Sequence, residues 1–325
     1  MKSVLKKIAL FTSGGDSPGM NACVRAVART LMWYKKEVVG IMHGYDGMVK
    51  GEFILLDSGA VSNIIQRGGT ILKTARSKEF MTAKGRMAAY NNLKKEHIDG
   101  IIAIGGDGTF RGAVTFNKKY GIPCIGVPGT IDNDLFGTDY TIGFDTAVNT
   151  TLEAIDKIKD TAAAHDRLFF IEVMGRDTGY IALWAGIAGG VEEILLPETK
   201  ADINKLIKIL RERKSKNKST IVVVAEGDET GGAMKIAAAV KEKIPEYDAR
   251  VTILGHLQRG GSPTCFDRLL ATKLGVSAVE ALLSGATNKM AGIINNKITF
   301  TNLEKTVKQH APLDKDLLRY VSMLQ

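Results

Sequence analysis

Short apolar runs alternate with amphipathic stretches from one end of this chain to the other, and that alternation restricts its fold most. The runs are "IALF" (8–11), "VVGI" (38–41), "GIIAI" (100–104), "CIGV" (124–127), "RLFFIEV" (167–173), "TIVVVA" (220–225) and "VTIL" (251–254). They are rich in β-branched residues and apolar on both faces, as strands covered by helices on both sides should be. Between them, "NACVRAVARTLMWYKK" (21–36) and "TAVNTTLEAIDKIKD" (146–160) repeat with a helical period. This predicts an α/β architecture with largely parallel sheets. A length of 325 residues suits one large or two medium domains. The first apolar run is too short for a signal peptide, and none approaches the roughly 18 residues of a membrane span. Cys23, Cys124 and Cys265 are far apart and odd in number, which fits a reducing cytoplasm better than a disulfide framework or a zinc site.

The formal net charge is +9, which favours an anionic partner: nucleic acid, membrane surface or phosphorylated metabolite. Aromatics make up 6% and form no basic stripe suited to base stacking. Many lysines, as in "NKLIKILRERKSKNK" (204–218), read as solvated helix faces. Charge alone therefore does not choose the partner, although no stretch singles out nucleic acid or a membrane.

In an open α/β sheet, ligands bind beyond the carboxyl ends of the strands. Six loops carry chemistry at that edge. Gly14, Gly15 and Asp16 follow the first run, and Gly105, Gly106, Asp107, Gly108 and Thr109 follow "IIAI". Thr130, Asp132 and Asp134 follow "CIGV", and Gly175 and Arg176 follow "FFIEVM". Glu226 and Gly227 follow "IVVVA", and His256, Gln258 and Arg259 follow "VTILG". Glycines let backbone N–H groups close on a phosphate, with a helix N-terminus behind them. Asp107 cannot favour bare phosphate but can hold Mg²⁺; its other reading is an Asp-Gly turn. Arg176 either grips phosphate or joins a surface ion pair.

"PGTIDND" (128–134) sets Asp132 and Asp134 around one amide in an otherwise basic chain. Asp and Asn build turns and cap helices, which is one reading. The other is a base that takes a proton on a protein built to hold anions. The P-loop signature is absent, and "GGDGTFRG" is only a weak relative of the dinucleotide fingerprint. The protein-kinase H-R-D and D-F-G signatures are absent too. His43, His97, His165, His256 and His310 lack metal-ligand spacing, and only His256 lies in a candidate loop.

"TSGGDSPGMNA", "GGDGT", "PGTIDND", "VMGR" and "LGHLQRGGSP", in this order and roughly this spacing, resemble bacterial ATP-dependent 6-phosphofructokinases from about residue 8 to 300. "GGDGT" alone also resembles NAD kinases and lipid kinases; the other motifs do not. The resemblance implies the phosphofructokinase fold, two Rossmann-like three-layer domains with mostly parallel sheets. The nucleotide-binding domain would be 1–142 with 257–304, and the sugar-phosphate-binding domain 143–256 with 305–325. It implies transfer of the ATP γ-phosphoryl to O1 of fructose 6-phosphate, with Mg²⁺, in an allosterically regulated glycolytic homotetramer.

Carried over position by position, Asp132 resembles the general base, with Asp134 orienting it or assisting through Mg²⁺-bound water. Thr130 and Arg176 resemble the groups that hold the transferring phosphoryl, and Arg76 an arginine lying between nucleotide and sugar. Gly15, Arg76, Ser77, Gly106, Asp107, Gly108 and Thr109 match the ATP loops, with Asp107 as the metal carboxylate. Ser77 departs from the family pattern. Thr130, Ile131, Asp132, Met174, Gly175, Arg176, Glu226, His256, Leu257, Gln258 and Arg259 match the fructose 6-phosphate site. Arg167 and Arg250 resemble arginines that reach the 6-phosphate from a neighbouring subunit. Pyrophosphate-dependent relatives carry bulkier or charged residues at Gly108 and Gly129, so two glycines there imply ATP as donor.

Arg25 and Arg29 lie four apart on one predicted helix and resemble binders of effector phosphates, a nucleotide diphosphate or phosphoenolpyruvate. Asn63, Lys159, Glu192, Lys216 and Lys218 fall at or near other effector positions. Asn63 stands where the family has Asp and Lys159 where it has Arg, which implies a weaker response. Two alternatives remain at this stage: an NAD or lipid kinase using the "GGDGT" loop, and a non-catalytic sugar-phosphate or nucleotide sensor. Intact Asp107, Asp132 and Arg176 weigh against the sensor, because a binder needs no base.

Overall fold

The computed structural model describes residues 5–164, 167–199, 203–214, 219–227 and 231–324. In chain order the strands are β1 (Lys7–Ser13), β2 (Glu37–Ile41), β3 (Phe53–Leu55), β4 (Gly100–Gly105), β5 (Cys124–Pro128), β6 (Leu168–Val173), β7 (Glu193–Leu195), β8 (Thr220–Ala225), β9 (Ala249–Ile253), β10 (Lys289–Ile294) and β11 (Lys297–Asn302). They fall into two compact units. Unit 1 comprises Met1–Asp145 and Arg259–Ala311, and unit 2 comprises Thr146–Gln258 and Pro312–Gln325. No described helix is long and apolar enough to cross a membrane.

Unit 1 holds one sheet in the order β11-β10-β5-β4-β1-β2-β3. The five inner strands run parallel, and β3 and β11 close the two edges antiparallel. Side chains alternate between two buried faces. Ile8, Leu10, Ile102, Ile104, Ile125 and Val127 point into one core, with the helices Met20–Trp33 and Cys265–Leu283. Ala9, Phe11, Ile101, Ala103 and Cys124 point into the other, with Ala83–Lys95 and Asp107–Tyr120. Gly275 lets the two helices of the first core cross closely, since a Cβ there would sit 3.0 Å from that of Ala26.

From β1 the chain passes to β2 on one side and later returns to β4 on the other. The loops leaving β1 and β4 therefore diverge at a topological switch point, where an open α/β sheet leaves a crevice for a ligand.

Among its described residues, unit 2 holds four parallel strands in the order β7-β8-β6-β9. Leu168, Phe170, Val222 and Val224 bury against the helices Ile203–Lys214 and Ala233–Lys243. The mostly parallel α/β expectation holds in both units. One strand departs from it. The run at 251–254 reads as buried on both faces, yet β9 is an edge strand with Ile253 55% exposed.

Candidate active site

The switch point of unit 1 is built by close backbone packing. A Cβ on Gly105 would meet the Ser13 carbonyl and the Thr109 Oγ1, each at 2.4 Å, so only glycine fits between β1 and the following helix. Thr109 is buried, and its hydroxyl donates to the Ser13 carbonyl at 3.1 Å. Tyr45 donates to the Thr109 carbonyl at 2.6 Å. These bonds fix the first turn of the helix Asp107–Tyr120 against the end of β1.

The N-cap of that helix, Gly106, provides no side-chain cap. A Cβ on Gly108 would meet nothing within 4 Å. The chain's own packing therefore does not require glycine at 108, and the open space lies over a helix N-terminus, where N–H groups and the helix dipole favour an anion. Gly129 differs. A Cβ there would lie 3.2 Å from Ile104 and 3.3 Å from Met20, so a larger residue would crowd the chain's own core. Asp107 sits in the first turn, its carboxylate largely sheltered and 2.8 Å from the Arg111 Nε. Gly14 takes φ +88°, and Gly15 lies under the Arg259 guanidinium, which donates to the Asp16 carbonyl at 3.1 Å.

The turn at 128–134 follows β5 and is held by its own amide. Asn133 takes φ +52°, a left-handed conformation that Asn tolerates better than most residues. Its Oδ1 accepts from the Thr141 N–H at 2.8 Å, and its Nδ2 donates to the Asp139 carbonyl at 3.1 Å. Thr141 also donates to the Thr130 carbonyl at 2.6 Å, and the Thr130 hydroxyl accepts from the Asp132 N–H at 3.2 Å. Asn133 therefore builds the turn, which leaves two buried carboxylates on either side of it. Burial first, then the charge of Asp132, push the Asp134 carboxyl up to about 6 from an ordinary 3.8. Asp107 adds to the rise, while the Asp134 backbone amide and His310 oppose it. Ile131, expected at the fructose 6-phosphate site, has no exposed surface in either side chain or backbone, so here it is a core residue that supports the turn.

A hard cation such as Mg²⁺ needs one or two carboxylates plus phosphate and water oxygens. No group of three metal-ligating residues occurs among the described residues. Asp107, close enough with Asp132 for both to raise the proton affinity of Asp134, fits a cation that arrives with its phosphates.

In unit 2 the loop after β6 is strained. Gly175 takes φ +149° and Arg176 φ +58°. The Arg176 N–H donates to the Glu226 Oε1 at 2.8 Å, and Gly227 must be glycine because a Cβ would lie 2.0 Å from the Arg176 carbonyl. The backbone of Arg176 is thus clamped by the loop after β8, while its guanidinium is exposed, 3.9 Å from Asp177. The Met174 N–H donates to Gln258 at 2.8 Å, and Gln258 donates to Thr151 at 2.9 Å. Gln258 has no exposed surface, so it braces the loop from inside. His256 and Leu257 are exposed beyond β9.

Arg167 and Arg250 lie at the opposite edge. Arg167 precedes β6 and Arg250 enters β9; both hold Asp248, at 2.9 and 3.1 Å. Six residues of β6 at about 3.3 Å each put roughly 20 Å between Arg167 and the loop of Arg176. Within one chain these arginines do not join that loop. The sequence reading passed over Asp248, although an aspartate two residues before Arg250 is a charge signal.

Arg76 is exposed, and the Ser77 hydroxyl accepts from the Phe80 N–H at 3.2 Å. Among the effector candidates, Arg25 is half-buried on Met20–Trp33, and Arg29 donates to the Ser58 carbonyl at 3.1 Å. Asn63 takes φ +53°. Lys159 clasps the carbonyls of Gly189 and Gly190, and Glu192 is held by Arg213 at 2.6 Å and by the Ile221 N–H at 2.7 Å. Lys216 and Lys218 lie outside the described residues.

The profile of the phosphofructokinase family matches residues 7–282. An ATP-dependent 6-phosphofructokinase from Cytophaga hutchinsonii is 56% identical over 321 residues, 98% of each chain. Among solved structures, a Pichia pastoris phosphofructokinase in the T-state superposes with a TM-score of 0.87 at 38% identity, over 98% of this chain. This chain spans 36% of that one. A pyrophosphate-dependent phosphofructokinase from Marinobacter aquaeolei superposes with a TM-score of 0.85 at 26% identity, over 98% of this chain and 91% of that one.

Proposed function

The chain belongs to the phosphofructokinase family, and from that premise we propose that it transfers the γ-phosphoryl of ATP to O1 of fructose 6-phosphate, giving fructose 1,6-bisphosphate and ADP in glycolysis. The observation that carries the reading is a buried carboxylate on a rigid turn, Asp132, beside an open helix N-terminus at the same sheet edge. One group takes a proton and the other holds phosphate.

The residues divide the work as follows. The first turn at 106–109 and Gly15 cradle the phosphates of ATP, with Arg76 and Ser77 beside the nucleotide. Open space at Gly108 supports ATP over pyrophosphate as donor. Asp107 would hold Mg²⁺, which neutralises charge on the phosphates when bound. Asp132 accepts the proton of the 1-hydroxyl, and such base catalysis contributes about 10²–10⁴-fold. Asp134 orients the base, and Thr130 and Arg176 hold the transferring group. Most of the remaining acceleration is positioning and charge neutralisation. Met174, Gly175, Glu226, His256, Leu257 and Arg259 bind the sugar phosphate; Glu226 has one oxygen on the Arg176 N–H and the other for a hydroxyl.

Arg167 and Arg250 sit at the amino edge of the unit 2 sheet, so we assign them to the 6-phosphate of a neighbouring subunit in a homotetramer. Asp248 holds both guanidinium groups meanwhile. Arg25 and Arg29 form the anchor of an effector site for a nucleotide diphosphate or phosphoenolpyruvate. Arg29, Lys159 and Glu192 already bond their own chain, so an effector must compete with those bonds. Free Cys23, Cys124 and Cys265 suit a reducing cytoplasm.

The test is ADP release with fructose 6-phosphate, NAD and a lipid as rival acceptors, in the parent and in Asp132→Asn. The reading expects fructose 6-phosphate alone to serve, and the variant to lose about 10²–10⁴ in kcat with sugar binding retained. Turnover of the variant within a few-fold of the parent removes Asp132 as the base.

A further inference from the structure

The turn carrying Asp132 is tied to a part of unit 1 that contributes nothing else to the site. The β10–β11 hairpin turns on Asn295 and Asn296, both left-handed at φ +50° and +60°. The Asn295 N–H donates to the Asp139 Oδ2 at 2.7 Å, and the Asp139 N–H donates to the Ile293 carbonyl at 2.7 Å. One step earlier, the Thr138 hydroxyl accepts from the Ile293 N–H at 3.1 Å. Gly137 takes φ +100° with its α-carbon against Thr301, and a Cβ on Gly292 would lie 2.5 Å from the Gly137 carbonyl. The segment 137–139 is thus laid along the hairpin and bonded to it at successive residues. From Asp139 one more bond reaches the site, because its carbonyl accepts from the Asn133 Nδ2 at 3.1 Å. Asn133 is the residue between the two carboxylates.

We propose that Asp139 is a positioning residue for the reaction, acting through Asn133 on Asp132, with the β10–β11 hairpin as the fixed support. Its carboxylate is exposed and touches no reacting atom. What it supplies is an acceptor for the hairpin-tip N–H, which sets where its own carbonyl stands and hence the side-chain amide of Asn133. A left-handed Asn held by two hydrogen bonds is a hinge with a defined rest position. Losing one bond lets the flanking carboxylates shift, and a displacement near 1 Å costs a rate of the order of 10²-fold.

The inference rests on Asp132 as base, so the experiment separates the two. Steady-state kinetics and thermal midpoints are measured on the full-length parent, Asp139→Ala, Asp139→Asn, Thr138→Val and Asp132→Asn. Asp139→Asn keeps an acceptor at the same place and should stay within about three-fold of the parent in kcat. Asp139→Ala should lose about 10- to 100-fold in kcat, with KM for ATP and for fructose 6-phosphate within about three-fold. Thr138→Val cuts a second bond to the hairpin and should lower kcat in the same direction. It keeps the test open if Asp139→Ala fails to fold. A parent-like kcat in both Asp139→Ala and Thr138→Val overturns the inference, while an inactive Asp132→Asn in the same series leaves the base assignment standing. Losses in Asp139→Ala that fall on KM, or that Asp139→Asn does not rescue, also overturn it. An active Asp132→Asn instead removes the base on which the inference rests.

Discussion

Asp134→Asn should stabilise the protein, and by an amount that grows with pH. Asp134 is 9% exposed, and its carboxyl is raised from 3.8 to about 6 by burial and by Asp132. A carboxyl raised on folding opposes folding once it ionises. Below pH 3.8 both states are protonated and there is no penalty. Between 3.8 and 6 the unfolded chain ionises first, and the penalty rises; above 6 it is complete. A rise of this size corresponds to about 3 kcal/mol at pH 8, of which about 2 kcal/mol develops between pH 4.5 and pH 8. Asparagine keeps the shape and removes the ionisation. Its amide can leave a donor unpaired at a cost of about 1–3 kcal/mol, but that cost does not follow the carboxylate titration. The pH dependence of the difference is therefore the readout. Thermal midpoints of parent and variant are compared at pH 4.5, 6 and 8, without Mg²⁺ or nucleotide, because a bound cation would offset the repulsion. At about 2–4 °C per kcal/mol, the variant should gain roughly 4–8 °C on the parent between pH 4.5 and pH 8. A difference that is flat with pH, or that shrinks as pH rises, refutes the reasoning.

Gly108 and Gly129 should respond in opposite ways. Gly108→Arg places a side chain in open space, so the thermal midpoint should hold while the KM for ATP rises about tenfold or more. Gly129→Ala crowds Ile104 and Met20 and should cost about 1–3 kcal/mol of stability, measured by urea unfolding. Arg167→Ala and Arg250→Ala should raise the fructose 6-phosphate KM with little change in kcat if both serve the non-reacting phosphate proposed for them. Mixing either with Asp132→Asn under subunit exchange should restore activity; no recovery, with exchange confirmed, counts against a shared site. Fructose 6-phosphate saturation curves should shift with ADP, GDP or phosphoenolpyruvate by a coupling at or below about 1–3 kcal/mol. Curves that superimpose at millimolar effector, with Arg25→Ala also unchanged, leave Arg25 and Arg29 as a solvated face.

The inner strands were legible because burial on both faces forces an unbroken apolar run. All seven quoted runs meet a strand, and β1, β4 and β5 are buried almost throughout. The strands that escaped are at or near edges. β3 and β7 have three residues each, too few for a period, and β11 alternates half-covered with exposed positions. The hairpin did leave a signal. Two asparagines between apolar runs at 290–294 and 298–300 are what a two-residue turn with both φ positive requires. β9 misled for a related reason: its apolar residues lie on an edge, where a β-branched run need not mean burial.

At the site, sequence gave residue types but not the division of labour among them. "PGTIDND" shows two carboxylates and an amide, yet nothing in the letters says that the amide is spent on Thr141 and Asp139. "MGR" is less legible still. Asn133 and Arg176 both take left-handed backbone, at φ +52° and +58°. For asparagine the cost is small, because its short side chain suits that region. For arginine no such relief exists, and a non-glycine residue held there costs of the order of 1–3 kcal/mol. Glycine would fill the position at less cost if only the bend mattered, and Gly175 shows that glycine is used next to it. The loop instead carries a long cationic side chain on left-handed backbone, and Glu226 and Gly227 from a second loop hold that backbone in place. Among the described residues the exposed guanidinium meets one carboxylate, Asp177 at 3.9 Å, too distant and exposed a pair to offset much of that cost. A long cationic side chain held at that backbone cost supports the role proposed for Arg176, whose guanidinium would meet the charge of the transferring phosphoryl.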